Sequence, residues 1–335
     1  MRISLKLLLG LALASVIAGG CGTPSFLVTP VSSSTKLTEE EVQPGKGGGK
    51  IAIIQVEGML ANMRSGGFMQ PSENSVSLFA QQLNKAAEDK DVKAVVLRMN
   101  SPGGTVTASD LMFEAVNDFR TKSKKPVIAS TQEVAASGGF YVACAADQVV
   151  VHPTSVVGSI GVIFSSFEVE DLMGKIGVKN IAIKSGPLKD MGSPFKALGP
   201  EERQVMQGMV DDYYARFKDV VKSRRKVQSD DFAMVTDGRV FTGTRAVELG
   251  LADRTGRLED ALEVARQLGK APGAKAVIYK RPYGYGGSIY ASSDAGVPRA
   301  DNNSTGGAPN TTRLEIPGSQ RVLPGGFYYL WQPGL

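Results

Sequence analysis

The sequence predicts an α/β fold in which a parallel sheet is covered by helices on both faces. Three apolar strands begin near residues 51, 92 and 127, and two segments with apolar residues at helical spacing, 76–87 and 108–119, lie between them. Strands that are apolar along their whole length are typical of parallel sheets, because both of their faces are buried. The alternation of strand and helix therefore indicates β-α-β units.

The first 21 residues predict an export signal. Two basic residues precede the apolar run 7–17, which is shorter than the roughly 20 residues that a membrane-spanning helix needs. Small residues then lead to Cys21, which resembles the end of a bacterial lipoprotein signal, although Ala18 stands where leucine is usual. Residues 1–21 thus predict a lipid anchor on Cys21 or an uncleaved membrane anchor. Either anchor places the protein on the extracytoplasmic face of a bacterial cell membrane.

Composition divides the rest of the chain into three parts. Residues 22–49, rich in Ser, Thr, Pro and Gly, predict a flexible linker. Residues 50–281 predict one folded domain, and residues 282–335, dominated by Gly, Pro, Ser and Asn, predict a disordered tail. The further elements predicted within the domain are strands at 148–151, 180–184 and 276–279 and helices at 167–176, 201–225, 231–235, 244–249 and 258–268.

The composition argues against several functions. The net charge of +5 comes from Lys and Arg residues that are scattered along the chain. The densest basic run, residues 222–226, is interpreted as a solvated helix face. We therefore expect no nucleic-acid partner. The single histidine, His152, precedes Pro153 and is interpreted as structural. That interpretation excludes a Ser-His-Asp triad and histidine zinc sites. Cys144 lies in an Ala-rich run and reads as a core residue. We expect neither a metal nor a cofactor.

The stretch 130–161 contains the candidate nucleophile. Ser137 stands between small residues where an apolar strand changes into a short Ala-rich helix. The glycines that follow it allow a substrate carbonyl to approach the backbone N–H groups at the start of the helix. The alternative interpretation is that the Ser137 hydroxyl only caps that helix.

A serine hydroxyl needs a base to take its proton, and a lysine amine is the strongest base available here. Only about one lysine in a thousand is neutral near pH 7, so a catalytic lysine must be shielded from water and have no carboxylate partner. Lys184, Lys189 and Lys196 all lie at or beyond the end of a predicted strand, in a segment rich in Gly and Pro. The residues alone do not rank the three, although the neighbouring Asp190 weighs against Lys189 unless its side chain points elsewhere.

Five motifs together resemble one protease family. They are NSPGG at 100–104, ASGGFY at 136–141, GSIGVI at 158–163, SGPLKD at 185–190 and GRVFTGTRAVELGLAD at 238–253. In this order and spacing, over residues 51–269, they are similar to the signal peptide peptidase A family of bacterial serine–lysine proteases, in its short, single-domain form. The resemblance implies a Clp-protease/crotonase-like fold of repeated β-β-α and β-α-β units, with helical C-terminal elements that mediate oligomerisation.

The resemblance also implies roles for individual residues. Ser137 matches the nucleophile of the family, Lys189 its general base, and Ser159 the serine whose hydroxyl holds the lysine amine in place. The backbone N–H groups that match its oxyanion hole are those of Gly138 and Gly104, with Gly103 as an alternative.

The function that follows from the resemblance is a membrane-tethered endopeptidase that degrades remnant signal peptides and misfolded exported proteins. We expect the peptide substrate to bind by strand addition. We also expect the chain to form a homo-oligomer, which in the family's short form is an octameric ring. The tail is a candidate self-substrate. Two rivals remain open: a crotonase-type acyl-CoA enzyme, which does not need Ser137, and a catalytically silent scaffold of the same fold.

Overall fold

The structure, a computed structural model, describes residues 36–62, 74–281 and 326–331. The strands are β1 Thr38–Gln43, β2 Lys50–Leu60, β3 Val92–Thr105, β4 Val127–Ala136, β5 Gln148–Val151, β6 Val156–Gly158, β7 Ile163–Ser165, β8 Val240–Thr242, β9 Arg254–Thr255, β10 Lys275–Lys280 and β11 Gly326–Leu330. The helices are α1 Ser75–Glu88, α2 Val106–Ser123, α3 Gly138–Ala143, α4 Glu170–Lys175, α5 Pro200–Arg224, α6 Ser229–Val235, α7 Gly243–Glu248 and α8 Leu258–Leu268. The predicted anchor with Cys21 lies outside the described residues.

One mixed sheet organises these elements. Strands β10, β2, β3, β4, β5 and β9 lie side by side in that order and run parallel. The edge strand β1 is antiparallel to β10, and β6 pairs with the end of β4, where Ala136 faces Gly158. The predicted α/β class is therefore confirmed.

The sheet is buried on both faces, as its apolar strands predict. Alternate residues of β2 enter two separate cores. Ile54 packs in the core that contains Phe79 of α1, and Ile51 packs in the core that contains Leu262 of α8. Burial of an aliphatic side chain of this size contributes about 1.5–3 kcal/mol to the free energy of folding. The two cores therefore hold in fixed positions the strand ends that carry the site.

Two of the predicted boundaries are wrong. Residues 38–43 were expected in the flexible linker, but they form β1, because three consecutive glutamates pair with lysines of β2 and β10. Residues 326–330 were expected in the disordered tail, but they form β11, because Tyr328 and Tyr329 bury their rings in the domain. Residues 282–325 lie outside the described residues. Of the helices the structure describes, none is long and apolar enough to cross a membrane.

The strand predicted at 180–184 is not formed. These residues have no regular structure, and Ile181 and Ile183 are 84% and 100% exposed. Their alternation suits a strand, but the chain offers them no neighbouring strand with which to pair. This segment belongs to a larger exposed apolar surface.

The half-buried carboxylate of Asp253 connects the end of the last motif, residues 238–253, to the sheet. It accepts hydrogen bonds from the Val149 amide at 2.8 Å and from the Arg225 guanidinium at 2.9 Å. Burial alone would raise the pKa of Asp253, but the Val149 amide and the Arg225 charge outweigh burial and hold the pKa below its usual value.

Asp253→Asn is expected to lower the free energy of unfolding at pH 7 by about 2–3 kcal/mol. A carboxyl group whose pKa is lowered by folding stabilises the protein above its unfolded pKa of about 3.9 and loses that contribution as the pH falls through the folded value. Urea unfolding should therefore show a smaller difference at pH 3 than at pH 7. Glu248→Gln, which breaks an exposed pair with Arg245, is the control, and an equal effect of both substitutions would contradict this role.

Candidate active site

Ser137 occupies a strained turn between β4 and α3. Its backbone has φ +51° and ψ −119°, a conformation that costs a non-glycine residue about 1–3 kcal/mol. Its amide donates to the Gly158 carbonyl at 2.7 Å, and its carbonyl accepts from the Tyr141 amide at 2.8 Å. Its hydroxyl makes no capping hydrogen bond to α3, so the interpretation of Ser137 as a simple helix cap is not supported. A serine on a sharp strand-to-helix turn is the arrangement that presents a nucleophile in many hydrolases.

Two glycines lie directly beside Ser137. A Cβ atom added to Gly103 would meet the Gly138 amide nitrogen at 2.7 Å, so the backbones of β3 and α3 are in close contact there. Gly103 also has φ +101°, which favours glycine. Its N–H already donates to the Ser101 hydroxyl at 3.1 Å, whereas the N–H groups of Gly104 and Gly138 stay the predicted oxyanion donors.

Ser159 is held next to the nucleophile by the strand pair β4–β6. It follows Gly158, the residue that accepts the Ser137 amide, and its own amide donates to the Arg239 carbonyl at 2.7 Å. Like Ser137 it has a positive φ, +50°, and it is buried. The structure thus brings Ser137 and Ser159 to the ends of two adjacent strands.

The three candidate lysines differ in their partners. Asp190 accepts from Lys184 at 2.7 Å and from Lys196 at 2.8 Å, and Lys196 also pairs with Glu202. The hydrogen bonds from Lys184 and then Lys196 lower the pKa of Asp190 to about 2. Among the described residues, the Lys189 amine has no carboxylate partner and no hydrogen bond. The carboxylate that weighed against Lys189 is therefore engaged with the other two lysines.

Lys189 and Ser137 are not brought together within one chain. Ser137 is 1% exposed, Lys189 is exposed, and no hydrogen bond joins the two in the part of the chain that the structure describes. The segment before Lys189 presents apolar side chains to solvent, and we call residues 167–183 the exposed apolar segment. Its large exposed side chains are Phe167, Leu172, Ile176, Val178, Ile181 and Ile183.

The strand β11 lies across the candidate site. It pairs antiparallel with β3, where Tyr329 faces Gly104 and Leu330 faces Gly103, and antiparallel with β7 on its other side. The Trp331 amide extends this ladder by donating to the Pro102 carbonyl at 2.8 Å. The Tyr329 carbonyl oxygen would be 2.0 Å from a Cβ on Gly103 and 3.0 Å from one on Gly138. The Tyr329 carbonyl therefore lies close to the backbone of Gly103 and Gly138.

Sequence reasoning missed this strand. The signal that could have found it is the run FYYLW, an aromatic cluster inside a tail otherwise rich in Gly, Pro and polar residues. His152 takes no part in the site: its Nδ1 lies 2.9 Å from the Thr154 hydroxyl, two residues along the chain.

The chain is similar in sequence to known proteases. Peptidase family S49 matches residues 120–271. A protein of Enterococcus faecium provisionally named signal peptide peptidase SppA is 35% identical over 247 residues, which cover 74% of this chain and 72% of that protein. Protease 4 of Salmonella typhi is 36% identical over 68% of this chain and 36% of its own. A solved structure of the 1510-N membrane-bound stomatin-specific protease, at 16% identity, covers 65% of this chain and 84% of its own with a TM-score of 0.44.

Proposed function

This chain belongs to the signal peptide peptidase A family of serine proteases, and from this premise we propose that it is an endopeptidase with a catalytic dyad of Ser137 and Lys189. The observation that carries the proposal is the course of β11, an extended peptide segment whose Tyr329 carbonyl lies against Gly103 and against Gly138, the residue that follows Ser137. A substrate that adds as a strand in the same place would present its scissile bond to the hydroxyl.

The chemistry follows from the groups at this turn. The Ser137 oxygen attacks the substrate carbonyl while the neutral Lys189 amine takes its proton, and the N–H groups of Gly104 and Gly138 stabilise the oxyanion. Lys189 then returns the proton to the leaving amine. Water, deprotonated in turn by Lys189, attacks the acyl-enzyme, releases the carboxylate and restores Ser137. Ser159, at the end of β6, is the candidate hydrogen-bond partner that orients the amine.

The general base reaches Ser137 from a second copy of the chain in this proposal. Lys189 is exposed and follows the exposed apolar segment, residues 167–183, while Ser137 is buried in its own domain. Packing of that segment against a neighbouring copy would bury its apolar side chains and remove the amine from water, and desolvation favours the neutral amine. The octameric ring and the helical C-terminal elements of the family's short form are the expected assembly.

The substrate class remains that of the family resemblance: remnant signal peptides and misfolded exported proteins. The predicted anchor at Cys21, by lipid or by an uncleaved segment, would hold the site beside the membrane in which signal peptides are left. The apolar and aromatic surroundings of β11, which include Phe164, Tyr213 and Phe217, support an apolar peptide as the ligand.

Labelling with a fluorophosphonate tests this proposal directly. We expect a single adduct on Ser137, located by peptide mass spectrometry, in protein that also cleaves an apolar peptide. A silent scaffold or a crotonase-type enzyme has no activated serine at this position, so intact protein without an adduct on Ser137 would contradict the proposal. Ser166, an exposed serine outside the site, serves as the internal control for non-specific labelling.

Gly103→Ala is expected to lower kcat/KM for peptide cleavage by about 100-fold or more. The added Cβ would lie 2.0 Å from the position of the Tyr329 carbonyl oxygen, and a residue other than glycine is strained at φ +101°. The control is Gly208→Ala on α5, where an added Cβ meets nothing within 4 Å. Equal activity of the two folded variants would show that Gly103 does not border the substrate.

A further inference from the structure

The segment that carries Lys189 is fixed to the rest of the domain although Lys189 itself is exposed, and we call residues 184–199 the lysine loop. Three hydrogen bonds between backbone groups three residues apart form successive turns over residues 186–193. Further along the loop, the Pro194 carbonyl accepts a hydrogen bond from the Val169 amide at 2.7 Å. The lysine loop therefore has a defined backbone, which sets where its charged side chains lie.

Two carboxylates of neighbouring helices bind the lysine loop in the part of the chain that the structure describes. Glu170 of α4 accepts a hydrogen bond from the Ala197 amide at 2.6 Å. Glu202 of α5 is buried, accepts from the Gly199 amide at 3.2 Å and forms an ion pair with the Lys196 amine. Both carboxylates are thus occupied by groups of the loop other than the proposed general base.

The third carboxylate, that of Asp190, belongs to the residue that directly follows the proposed base Lys189. Its Oδ1 atom accepts from Lys184 Nζ at 2.7 Å and from Lys196 Nζ at 2.8 Å. These two hydrogen bonds lower the pKa of Asp190 to about 2, so the group is ionised at every pH at which a lysine amine is neutral. A carboxylate next to a lysine favours the ammonium form. An unengaged Asp190 would therefore oppose the loss of a proton from Lys189.

We propose that Lys184 and Lys196 are positioning residues that keep the Asp190 carboxylate away from the Lys189 amine, so that this amine can lose its proton and act as the general base. This inference rests on the proposed function and adds two residues to its site. Both ammonium groups bind the same oxygen of Asp190, so either one alone still holds the carboxylate. Only the loss of both lysines frees Asp190 to pair with Lys189.

Removal of both lysines, and then of the carboxylate, tests this inference in the full-length protein. The double variant Lys184→Met, Lys196→Met should lower kcat/KM for peptide cleavage at pH 7 by about 10-fold and move the acidic limb of the pH profile to higher pH, because the freed Asp190 stabilises the protonated form of Lys189. Adding Asp190→Asn should restore most of the activity, although it removes one more charged group. A triple variant no more active than the double variant would overturn the inference.

A single substitution gives the reverse result and does not depend on the folding of the double variant. In Asp190→Asn, two ammonium groups lose their counter-charge, which favours the neutral form of Lys189, so the acidic limb should move to lower pH. A limb that stays in place or moves to higher pH in this variant would refute the role of the two lysines. Lys122→Met, which breaks an exposed lysine–aspartate pair on α2, is the matched control and should retain the wild-type profile.

Acetylation of Lys189 provides a readout without catalysis. Only a neutral amine reacts with acetic anhydride, so the rate at a fixed pH, followed by peptide mass spectrometry, reports the neutral fraction. In full-length Ser137→Ala protein, this rate should fall about 3–10-fold when Lys184 and Lys196 are replaced and recover in the triple variant, with the exposed Lys222 as internal reference. If no peptide is cleaved but this order of rates holds, the proposed function fails and the electrostatic role of the two lysines stands. Equal rates in all three proteins would overturn that role in either case.

Discussion

Ser137→Ala is expected to lower kcat for peptide cleavage by about 10⁴-fold or more, because the variant has no group that can form the acyl-enzyme. The substitution should leave stability almost unchanged. Alanine meets the same backbone strain as serine at φ +51°, and the hydroxyl it removes makes no hydrogen bond in the described part of the chain. Peptide hydrolysis and thermal unfolding measured on one preparation check both statements.

The control for this variant is Ser223→Ala on the exposed face of α5, where the hydroxyl donates only to a carbonyl of its own helix. It should retain full activity. If Ser137→Ala retained more than a few per cent of the activity, the hydrolysis would have to use another nucleophile. If instead Ser137→Ala unfolded at a much lower temperature than the wild type, the strained turn would serve stability and not catalysis.

Local patterns predicted the regular elements well and the pairing across long distances poorly. Helix α8 begins and ends at the predicted residues 258 and 268, because its apolar spacing is set by residues within the helix. Taken alone, the motif NSPGG at residues 100–104 suggests a loop, since Pro and Gly favour turns. It is instead the end of β3, held extended by Leu60 of β2 on one side and by Tyr329 of β11 on the other. The sequence close to residue 100 contains no information about these two distant strands.

The predictions for the site show the same difference between local patterns and long-range contacts. Small residues around Ser137 predicted the turn that the structure contains, whereas the strand predicted before the lysine loop, at 180–184, does not form. The choice among the three lysines stayed open from the residues and came from the family resemblance. The structure adds a physical reason, since Asp190 engages Lys184 and Lys196 and not Lys189. In the proposed function the lysine comes from a second copy of the chain, and no pattern within one chain would encode that contact.

Lys189→Met is expected to abolish peptide cleavage, with a loss of at least about 10⁴-fold, because methionine keeps the length and apolar stem of the side chain but cannot accept a proton. Lys184→Met is the matched control on the same loop. Its amine is paired with Asp190 at 2.7 Å in the structure, so its loss should cost less than about tenfold. Similar losses in the two variants would assign the effect to the loop and not to a base.

A mixture of the two inactive proteins decides where the base comes from. When Ser137→Ala and Lys189→Met chains are co-expressed in equal amounts and assemble at random, about a quarter of the sites combine an intact serine with an intact lysine from the next copy. The mixture should then recover about a quarter of the wild-type activity. If both groups had to come from one chain, every chain would lack one of them and the mixture would stay inactive. Recovered activity would explain why Ser137 is buried while Lys189 and the exposed apolar segment before it face solvent in a single copy, because the same contact that covers the apolar side chains would deliver the amine to the serine.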